Sequence, residues 1–401
     1  MYLTKEEERI LDGEMGEALR LAMRILVGIG EIYDAERLIE ISSAHISGIS
    51  YNNIGDEGLE FIKHMCSETS FKVPTTVNPA AVDLMSWKEM NIPEMFARKQ
   101  MEIAESLLRA GAYNSFTCTP YLGYVSPRLG DHVSWGESSA VAFINSVIGA
   151  RTNKEGGPSA LAAALIGKTP LYGLHITRNR LPTVRVRVKY KVRDAVDFSA
   201  LGYTIGYIIR SGVPLIEGVK VTADIDKLKS FSAGIAAASN IALYIMDKIS
   251  PDIRLVSEEL RRSLETTEIT EHDVNDVTDN FIMPLEKPDL VFFGCPHYSL
   301  TEVERIVMFI KSHNTKVKIP VWIAVSRATY SKARELGYVD LLSRAGIKLI
   351  RDMCAVVAPL RELGISSIAT DSAKAAHYLS LRHGISVYLA DAIEILKNVV
   401  L

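Results

Sequence analysis

The stretch Leu290-Val291-Phe292-Phe293-Gly294-Cys295-Pro296-His297 decides the fold of the last third of this chain. A run of four apolar residues that stops at glycine and proline is typical of a buried parallel strand. Comparable apolar runs follow, separated by helical patterns, at Val321–Val325, Ile347–Ile350, Ile365–Ala369 and Ile385–Leu389. Strands and helices that alternate at this spacing predict a doubly wound α/β domain around a parallel sheet.

Reactive side chains follow three of these strands. Cys295 ends the first strand, Cys354 comes soon after the third, and Lys374 comes soon after the fourth. Ser372 can cap the helix that starts beside Lys374. In an open parallel sheet, ligands bind at the carboxyl ends of the strands. If the sheet is wound in the usual way, two thiols and an ammonium therefore meet at one edge.

The upstream sequence is less regular. The capping box Thr4-Lys5-Glu6-Glu7 predicts an amphipathic helix that runs to about Leu26. The alternation in Val184–Val188 predicts a strand with one solvated face. Residues 111–158 are dense in Gly, Ser, Pro and Asn without the charge runs of a disordered linker, so we predict an ordered, functional loop region. The charged segment Ser257–His272 indicates a domain boundary near residue 285.

Composition excludes several classes of protein. The 401 residues carry 45 Lys and Arg against 48 Asp and Glu, a formal charge of −3, so no basic excess favours nucleic acid or a membrane surface. The N-terminus lacks the basic and apolar regions of a signal peptide. The apolar stretch Ile235–Met246 is interrupted by polar residues and is too short to span a bilayer. We therefore predict a cytoplasmic protein that binds neither nucleic acid nor membrane.

The four cysteines are too few for a disulfide scaffold in a cytosolic chain of this length. Cys118, Cys295 and Cys354 lie in loops, and three thiolates could capture a 4Fe–4S cluster that leaves one iron free as a Lewis acid. Burial of all four cysteines as small apolar side chains is an alternative. Zinc is a weaker alternative because a fourth ligand is missing. Cys66 lies near a helix end, and we interpret it as structural.

A carboxylate and several histidines are further candidates for a site. Glu137 precedes two serines and could enter a site while Ser138 caps the helix that follows. His45, His175 and His297 could each be a ligand or a base, although a lone histidine is more often a hydrogen-bonded polar residue. Both readings stay open for each histidine.

Taken together, these segments resemble the aconitase X family. The matching pieces occur in order over nearly the whole chain, which makes the match more specific than any single motif. They are Ser43-Ala44-His45-Ile46-Ser47-Gly48, Gly55-Asp56-Glu57-Gly58, Thr76-Val77-Asn78-Pro79, Thr117-Cys118-Thr119-Pro120-Tyr121, Trp135-Gly136-Glu137-Ser138, Gly294-Cys295-Pro296-His297, Asp352-Met353-Cys354 and Ser372-Ala373-Lys374. The chain departs from the common pattern at Met353 and Asp371, where threonine and asparagine are usual, and Asp371 adds a negative charge beside Lys374.

The resemblance implies an aconitase-like fold of three α/β domains with doubly wound, mostly parallel sheets, which we place at residues 1–110, 111–285 and 286–401. Aconitases need a fourth, swivelling domain that closes the site. In split members of the family this domain is a separate small subunit, and the sequence has no room for it before Leu401. We therefore expect a small swivel-domain subunit as the partner, in a heterodimer or heterotetramer.

The resemblance also implies the residues of the active site. Cys118, Cys295 and Cys354 would hold a 4Fe–4S cluster, and Glu137, Ser138 and Lys374 would be catalytic. The substrate would be bound by Gly48, Ile49, Ser50, Asn78, Pro79, Glu137, Ser138 and Lys374. Among these, Glu137 is the candidate for proton transfer to the leaving hydroxyl, while Lys374 and the loop amides around Gly48–Ser50 would neutralise carboxylate or phosphate. By analogy with aconitase, the base is a serine of the small subunit.

The implied reaction is dehydration of a small phosphorylated hydroxy acid, (R)-5-phosphomevalonate, to trans-anhydromevalonate 5-phosphate in a modified mevalonate pathway of isoprenoid biosynthesis. Two alternatives stay open. Sister proteins of the family dehydrate cis-3-hydroxy-L-proline with a different iron centre. The second alternative is a non-catalytic protein whose cluster only holds domains together or senses iron.

Overall fold

The structure, a computed structural model, describes residues 1–220, 224–281, 287–313 and 315–400. It contains three regions, each built from helices packed on strands that are almost all parallel, and this arrangement confirms the predicted α/β fold class. In the described residues, no helix combines the length and the apolar character that crossing a bilayer requires.

The first region consists of two small sheets covered by helices. Its strands are β1 (Leu38–Glu40), β2 (Ala44–Ile46), β3 (Thr75–Val77), β4 (Ser134–Trp135) and β5 (Lys168–Pro170). Its helices are α1 (Lys5–Leu11), α2 (Glu17–Ile32), α3 (Tyr51–Cys66), α4 (Glu94–Arg109), α5 (Ser138–Phe143) and α6 (Gly157–Ile166). Strand β2 pairs in parallel with β3 and β4, while β1 pairs antiparallel with β5. These pairings join residues 38–46 to residues 134–170, and the division at residue 110 remains a prediction.

The N-terminal capping box is confirmed, but the predicted helix length is wrong. Thr4 Oγ1 accepts from the amide of Glu7, whose carboxylate accepts in turn from the amide of Thr4. Helix α1 nevertheless ends at Leu11, because Gly13 and Gly16 adopt φ angles of 90° and 99°. Such angles are incompatible with a right-handed helix and are favourable only for glycine. The chain therefore starts a separate helix, α2, whose buried face packs on α6 and β5.

The second region is a parallel sheet with the strand order β8–β7–β6–β9. Its strands are β6 (Val184–Val188), β7 (Pro214–Glu217), β8 (Ile245–Met246) and β9 (Thr266–Ile269). Its helices are α7 (Ala195–Ile209), α8 (Ile225–Ala237), α9 (Glu258–Ser263) and α10 (Glu271–Thr278). Strand β6 confirms the strand predicted there. At the junction with the first region, the fully buried Arg180 side chain pairs with Asp252 at 2.7 Å.

The third region contains the strands quoted at the outset. They are β10 (Leu290–Tyr298), β11 (Val321–Val325), β12 (Ile347–Arg351), β13 (Ser367–Thr370) and β14 (Ser386–Leu389). The helices are α11 (Leu300–His313), α12 (Arg327–Glu335), α13 (Tyr338–Arg344), α14 (Ala373–His383) and α15 (Ala392–Val400). All five strands are parallel, in the order β12–β11–β10–β13–β14. This is the doubly wound topology that the sequence predicts.

The order of the strands reverses between β10 and β13. The chain runs outward from β10 through β11 to β12, then returns to the other side of β10 to form β13 and β14. Such a reversal leaves a crevice at the carboxyl ends of the two central strands, where ligands of doubly wound proteins bind. Cys295 lies at the end of β10 and Lys374 lies just beyond β13, so both residues flank this crevice.

Candidate active site

The structure brings the three loop cysteines together. The thiols of Cys295 and Cys354 form a hydrogen bond. Cys118 is close to both, since the charge of Cys295 raises the pKa of Cys118 and the charge of Cys118 raises the pKa of Cys354. None of the three forms a disulfide. Cys66 lies apart in α3, where burial raises the pKa of its thiol to about 12. The separation of Cys66 from the other thiols agrees with a structural role.

His297 holds the three cysteine loops in place. Its amide donates to Sγ of Cys118 at 3.2 Å. Its ring joins the other two loops, with Nδ1 3.1 Å from Oγ1 of Thr117 and Nε2 2.9 Å from the carbonyl oxygen of Met353. Burial lowers the pKa of His297 to about 4, so the ring is neutral. Both ring nitrogens are occupied by these contacts, and His297 therefore positions the loops.

The segment of β10 that carries Cys295, where the pairing with β11 shifts in register, has little freedom to move. Gly294 has a φ of 105°, and a Cβ at this position would lie 2.3 Å from the carbonyl oxygen of Ala324, so only glycine fits. Ser372 caps α14 as predicted, with its hydroxyl accepting from the amide of Ala375. The same hydroxyl donates to the carbonyl oxygen of Cys295. The first turn of α14 is thereby fixed against the cysteine loop.

The chemistry of these thiols fits an iron–sulfur cluster. In the part of the chain that the structure describes, no three histidine, cysteine or carboxylate side chains converge as ligands of one metal ion. Three neighbouring free thiols on three separate chain segments, two loops and the carboxyl-terminal part of β10, suit a cluster instead, because each thiolate then binds its own iron. Burial raises the pKa of Cys118 to about 12, so metal charge is needed to keep this thiol ionised.

Glu137 and Lys374 form a buried ion pair beside the thiols. The Lys374 ammonium donates to Oε1 of Glu137 and lies 3.3 Å from Oγ of Ser138. Burial alone would raise the pKa of Glu137, but the charge of Lys374 lowers it to about 2. Burial would likewise lower the pKa of Lys374, but the Glu137 carboxylate raises it. Lys374 also lowers the pKa of Cys295, which places the ammonium near the thiols.

Glu137, and not Ser138, caps α5. Its Oε1 accepts from the amide of Ser139 at 3.2 Å and from the hydroxyl of the same residue at 3.0 Å. The expectation of a Ser138 cap is therefore wrong, because the longer side chain of Glu137 reaches the exposed amides of the first turn. Ser138 Oγ is left to face Lys374.

A chain of hydrogen bonds from the first region orients the Glu137 carboxylate. Asn78 Nδ2 donates to Oε2 of Glu137 at 2.9 Å. The side-chain oxygen of Asn78 lies 3.2 Å from Nε2 of His45, whose Nδ1 lies 2.8 Å from Oγ1 of Thr76. His45 and Thr76 are paired residues of the parallel strands β2 and β3. Burial lowers the pKa of His45 to about 4, so this histidine is a neutral link and its role was missed by the sequence analysis.

The predicted substrate loop lies against the loop of Cys354. The hydroxyl of Ser50 donates to the carbonyl oxygen of Val357 at 3.0 Å. The carbonyl oxygen of Ile49 accepts from Nε2 of Gln100 at 2.9 Å, a positioning contact that the sequence did not indicate. Gly48 adopts a φ of 68°, and the space where its Cβ would lie is open to 4 Å. The loop is thus anchored at two points and open at its tip.

Asn78 and Pro79 are also tied to a cysteine loop. Directly after Pro79, the amide of Ala80 donates to the carbonyl oxygen of Asp352 at 2.6 Å, and its carbonyl accepts from the amide of Cys354 at 3.3 Å. Asn78, Glu137, Ser138 and Lys374 are linked by direct contacts. Gly48–Ser50 and Pro79 lie instead in segments that contact the loop of Cys354. The catalytic and binding roles of these residues remain proposals.

Asp371 does not compete for Lys374. Its carboxylate accepts a hydrogen bond from the hydroxyl of Tyr298, and burial raises its pKa to about 6. Lys374 turns to Glu137 instead. The negative charge that the sequence places beside Lys374 is thus directed towards β10.

The chain is similar to characterised proteins along its entire length. Sequence models of the aconitase X first, second and third domains match residues 1–178, 182–279 and 288–400. The phosphomevalonate dehydratase large subunit of Methanocaldococcus jannaschii is 44% identical, with 99% of this chain and 100% of the relative covered. A crystal structure described as Thermococcus kodakaraensis aconitase X (holo-form) superposes with a TM-score of 0.93 at 43% identity and covers 99% of both chains.

A more distant relative belongs to another dehydratase. The cis-3-hydroxy-L-proline dehydratase of Pseudomonas aeruginosa is 32% identical over 93% of this chain, which spans 65% of that protein. The relatives are named as dehydratases, which are hydro-lyases, so the predicted enzyme class is confirmed. Family models that together cover nearly the whole sequence also confirm the resemblance. The chain belongs to the aconitase X family.

Proposed function

We propose that this chain is the large subunit of a hydro-lyase that removes water from (R)-5-phosphomevalonate to give trans-anhydromevalonate 5-phosphate. The observation that best supports this proposal is the buried Glu137–Lys374 ion pair beside three neighbouring thiols. It occurs in a chain that is 44% identical, from end to end, to a phosphomevalonate dehydratase large subunit. The reaction would belong to a modified mevalonate pathway in the cytoplasm.

The proposed cofactor is a 4Fe–4S cluster held by Cys118, Cys295 and Cys354. When bound, it would supply a Lewis-acidic iron that polarises the bond between carbon and the leaving hydroxyl. The support is chemical: three free thiols lie on β10 and on two loops that His297 ties to it, with a lysine ammonium nearby. The cluster, and the role of the three thiols as its ligands, are proposals for this chain.

Glu137 would give the proton that converts the leaving hydroxide into water. In the free protein its carboxyl is ionised because Lys374 lowers its pKa to about 2. A substrate carboxylate that draws the Lys374 ammonium to itself would remove this effect. Burial, which raises the pKa of Glu137, would then dominate, and the carboxyl would hold a proton on Oε1 or Oε2 for transfer. Asn78 keeps the carboxylate oriented throughout.

The other half of the reaction needs a base that takes a proton from the carbon next to the substrate carboxylate. We propose that this base lies on a small subunit that carries the swivel domain and closes the site. The relatives from archaea are named as large subunits, which implies a smaller partner for them. The complex would be a heterodimer or a heterotetramer.

The alternatives have less support. The cis-3-hydroxy-L-proline dehydratases are 31–32% identical, against 37–44% for the phosphomevalonate dehydratase large subunits. A cluster that only holds domains together or senses iron would not need the buried Glu137–Lys374 pair at the substrate side of the thiols. We therefore favour phosphomevalonate dehydration.

The test is anaerobic purification of the chain with its small subunit, followed by iron and sulfide analysis and an activity assay. We expect the complex to convert (R)-5-phosphomevalonate to an α,β-unsaturated acid, which is followed by its ultraviolet absorbance. Parallel reactions contain cis-3-hydroxy-L-proline, or omit the small subunit. Turnover of hydroxyproline alone, or full activity in a preparation devoid of iron, would contradict the proposal.

A further inference from the structure

Lys154 is a partly buried cation at the edge of the site. It lies in the segment that joins α5 to α6, and its ammonium donates to the carbonyl oxygen of Ser239 at 2.9 Å. Among the described residues, no carboxylate lies within ion-pair distance of Lys154. Burial lowers the pKa of Lys154 to about 8. A lysine in such a place carries a charge that the protein itself leaves largely unneutralised.

The ammonium of Lys154 is close to the catalytic pair. Lys374 lowers the pKa of Lys154 further, and Glu137 raises it. The same Lys374 lowers the pKa of Cys295 and of Cys118, so its ammonium is near the thiols as well as near Lys154. Lys154 is thus a further cation beside Glu137 and Lys374.

The backbone around Lys154 is rigidly held. Oγ1 of Thr152 accepts from the amide of Trp135 at 3.1 Å, and the amide of Glu155 donates to the carbonyl of Trp135 at 3.1 Å. Oδ1 of Asn153 accepts from the amide of Leu174 at 2.8 Å. Because the residues on both sides are held by these hydrogen bonds, the position of the Lys154 backbone is fixed.

The same segment contacts the predicted substrate loop. A Cβ on Gly157 would lie 2.7 Å from the carbonyl oxygen of Ser47 and 3.9 Å from Cα of Gly48. The start of α6 therefore packs directly on the loop that leads to Ser50. The segment that carries Lys154 therefore contacts both the predicted substrate loop and β4, the strand that leads to Glu137.

We propose that Lys154 binds the phosphate group of the substrate. This inference rests on the proposed function, in which the substrate carries a carboxylate near the reacting carbons and a phosphate at its far end. Lys374 lies next to the thiols and suits the carboxylate. Lys154 is close to Lys374, has no carboxylate partner among the described residues, and suits the phosphate, for which lysine is a common point-charge partner.

Steady-state kinetics of the iron-loaded two-subunit enzyme test the proposal with two substrates, (R)-5-phosphomevalonate and (R)-mevalonate. In Lys154→Met, kcat/KM for the phosphorylated substrate should fall roughly 10- to 100-fold, mainly through KM, since a contact between charged groups is lost. The fall for mevalonate should be much smaller, so that the preference for the phosphate shrinks. Lys154→Arg should retain most of the preference. Lys189→Met, at a side chain that is 57% exposed, is the matched control.

Equal losses for both substrates in Lys154→Met, or no loss for either, would overturn the assignment. Equal losses with a lower midpoint of thermal unfolding would show that Lys154 only supports the carbonyl of Ser239. Calorimetric binding of both substrates to each variant provides a readout that does not depend on turnover. A wild-type complex that fails to dehydrate (R)-5-phosphomevalonate would instead overturn the proposed function itself.

Discussion

Replacing Lys374 with methionine should destabilise the large subunit through Glu137. The substitution keeps the apolar stem of the side chain and removes the ammonium that neutralises the buried carboxylate. A carboxyl whose pKa falls from 4.5 to about 2 gains on the order of 3 kcal/mol from its surroundings in the ionised form. Breaking one partner of a buried ion pair typically costs about 3–5 kcal/mol. We therefore expect Lys374→Met to lower the free energy of unfolding by about 3 kcal/mol at pH 7.

The sign of the pH dependence follows from the two pKa values of Glu137. In the wild type, its folded pKa of about 2 lies below the unfolded value of 4.5, so this stabilisation is fully present above pH 4.5 and is lost as the pH falls towards 2. In Lys374→Met, burial raises the folded pKa above 4.5. The variant therefore gains stability as the pH falls from 7 through that raised pKa, and the gap to the wild type narrows.

Urea denaturation of the cluster-free large subunit, followed by circular dichroism at pH 7 and pH 5, measures this effect. Adding Glu137→Gln to Lys374→Met removes the stranded charge and should recover most of the loss. Lys332→Met, which breaks an exposed pair with Glu335, should cost less than about 1 kcal/mol. Strictly additive costs in the double variant, or a loss that is the same at both pH values, would refute the reasoning.

Three further substitutions test other parts of the structure. Cys118→Ser should abolish both the dehydratase activity and the iron content of anaerobic preparations, whereas Cys66→Ser should retain both. If Cys118→Ser retains its iron, Cys118 is not a ligand of the cluster. Gly157→Ala should raise KM, because the new Cβ meets a loop carbonyl at 2.7 Å, whereas Gly156→Ala should behave like wild type in the same assay. Asp252→Ala should lower the free energy of unfolding by about 3 kcal/mol in urea, since a buried arginine loses its partner; a cost near zero contradicts this.

The third region could be predicted because its strands are continuous apolar runs. A strand buried on both faces needs no alternation, and the run at Leu290–Phe293 forms the core of β10. The two-residue strands β4 and β8 could not be found, because so few residues show no periodicity. The apolar stretch Ile235–Met246 forms the end of α8, then a loop, then β8. An apolar run alone therefore does not determine whether its residues form a helix or a strand.

The site could be predicted where residues follow strands of one sheet. The carboxyl ends of parallel strands lie at one edge of the sheet, so the sequence alone predicts that Cys295 and Lys374 are close together. The role of His297 could not be predicted, because its partners Thr117 and Met353 lie 180 and 56 residues away along the chain. Only the folded chain shows that this histidine ties the three loops together.

In this proposal, the substrate and the protein compete for the ammonium groups of Lys374 and Lys154. In the free chain, Glu137 holds Lys374 across 237 residues of sequence, and a backbone carbonyl holds Lys154. If Lys374 and Lys154 bind the substrate as proposed, a substrate with two anionic groups would have to replace both partners, which would lower its net affinity because each lysine gives up an existing contact. The same exchange frees Glu137 from the ammonium that keeps it ionised. Glu137 would then transfer a proton only when a substrate with a carboxylate is bound. Only such a substrate would draw the Lys374 ammonium away from Glu137.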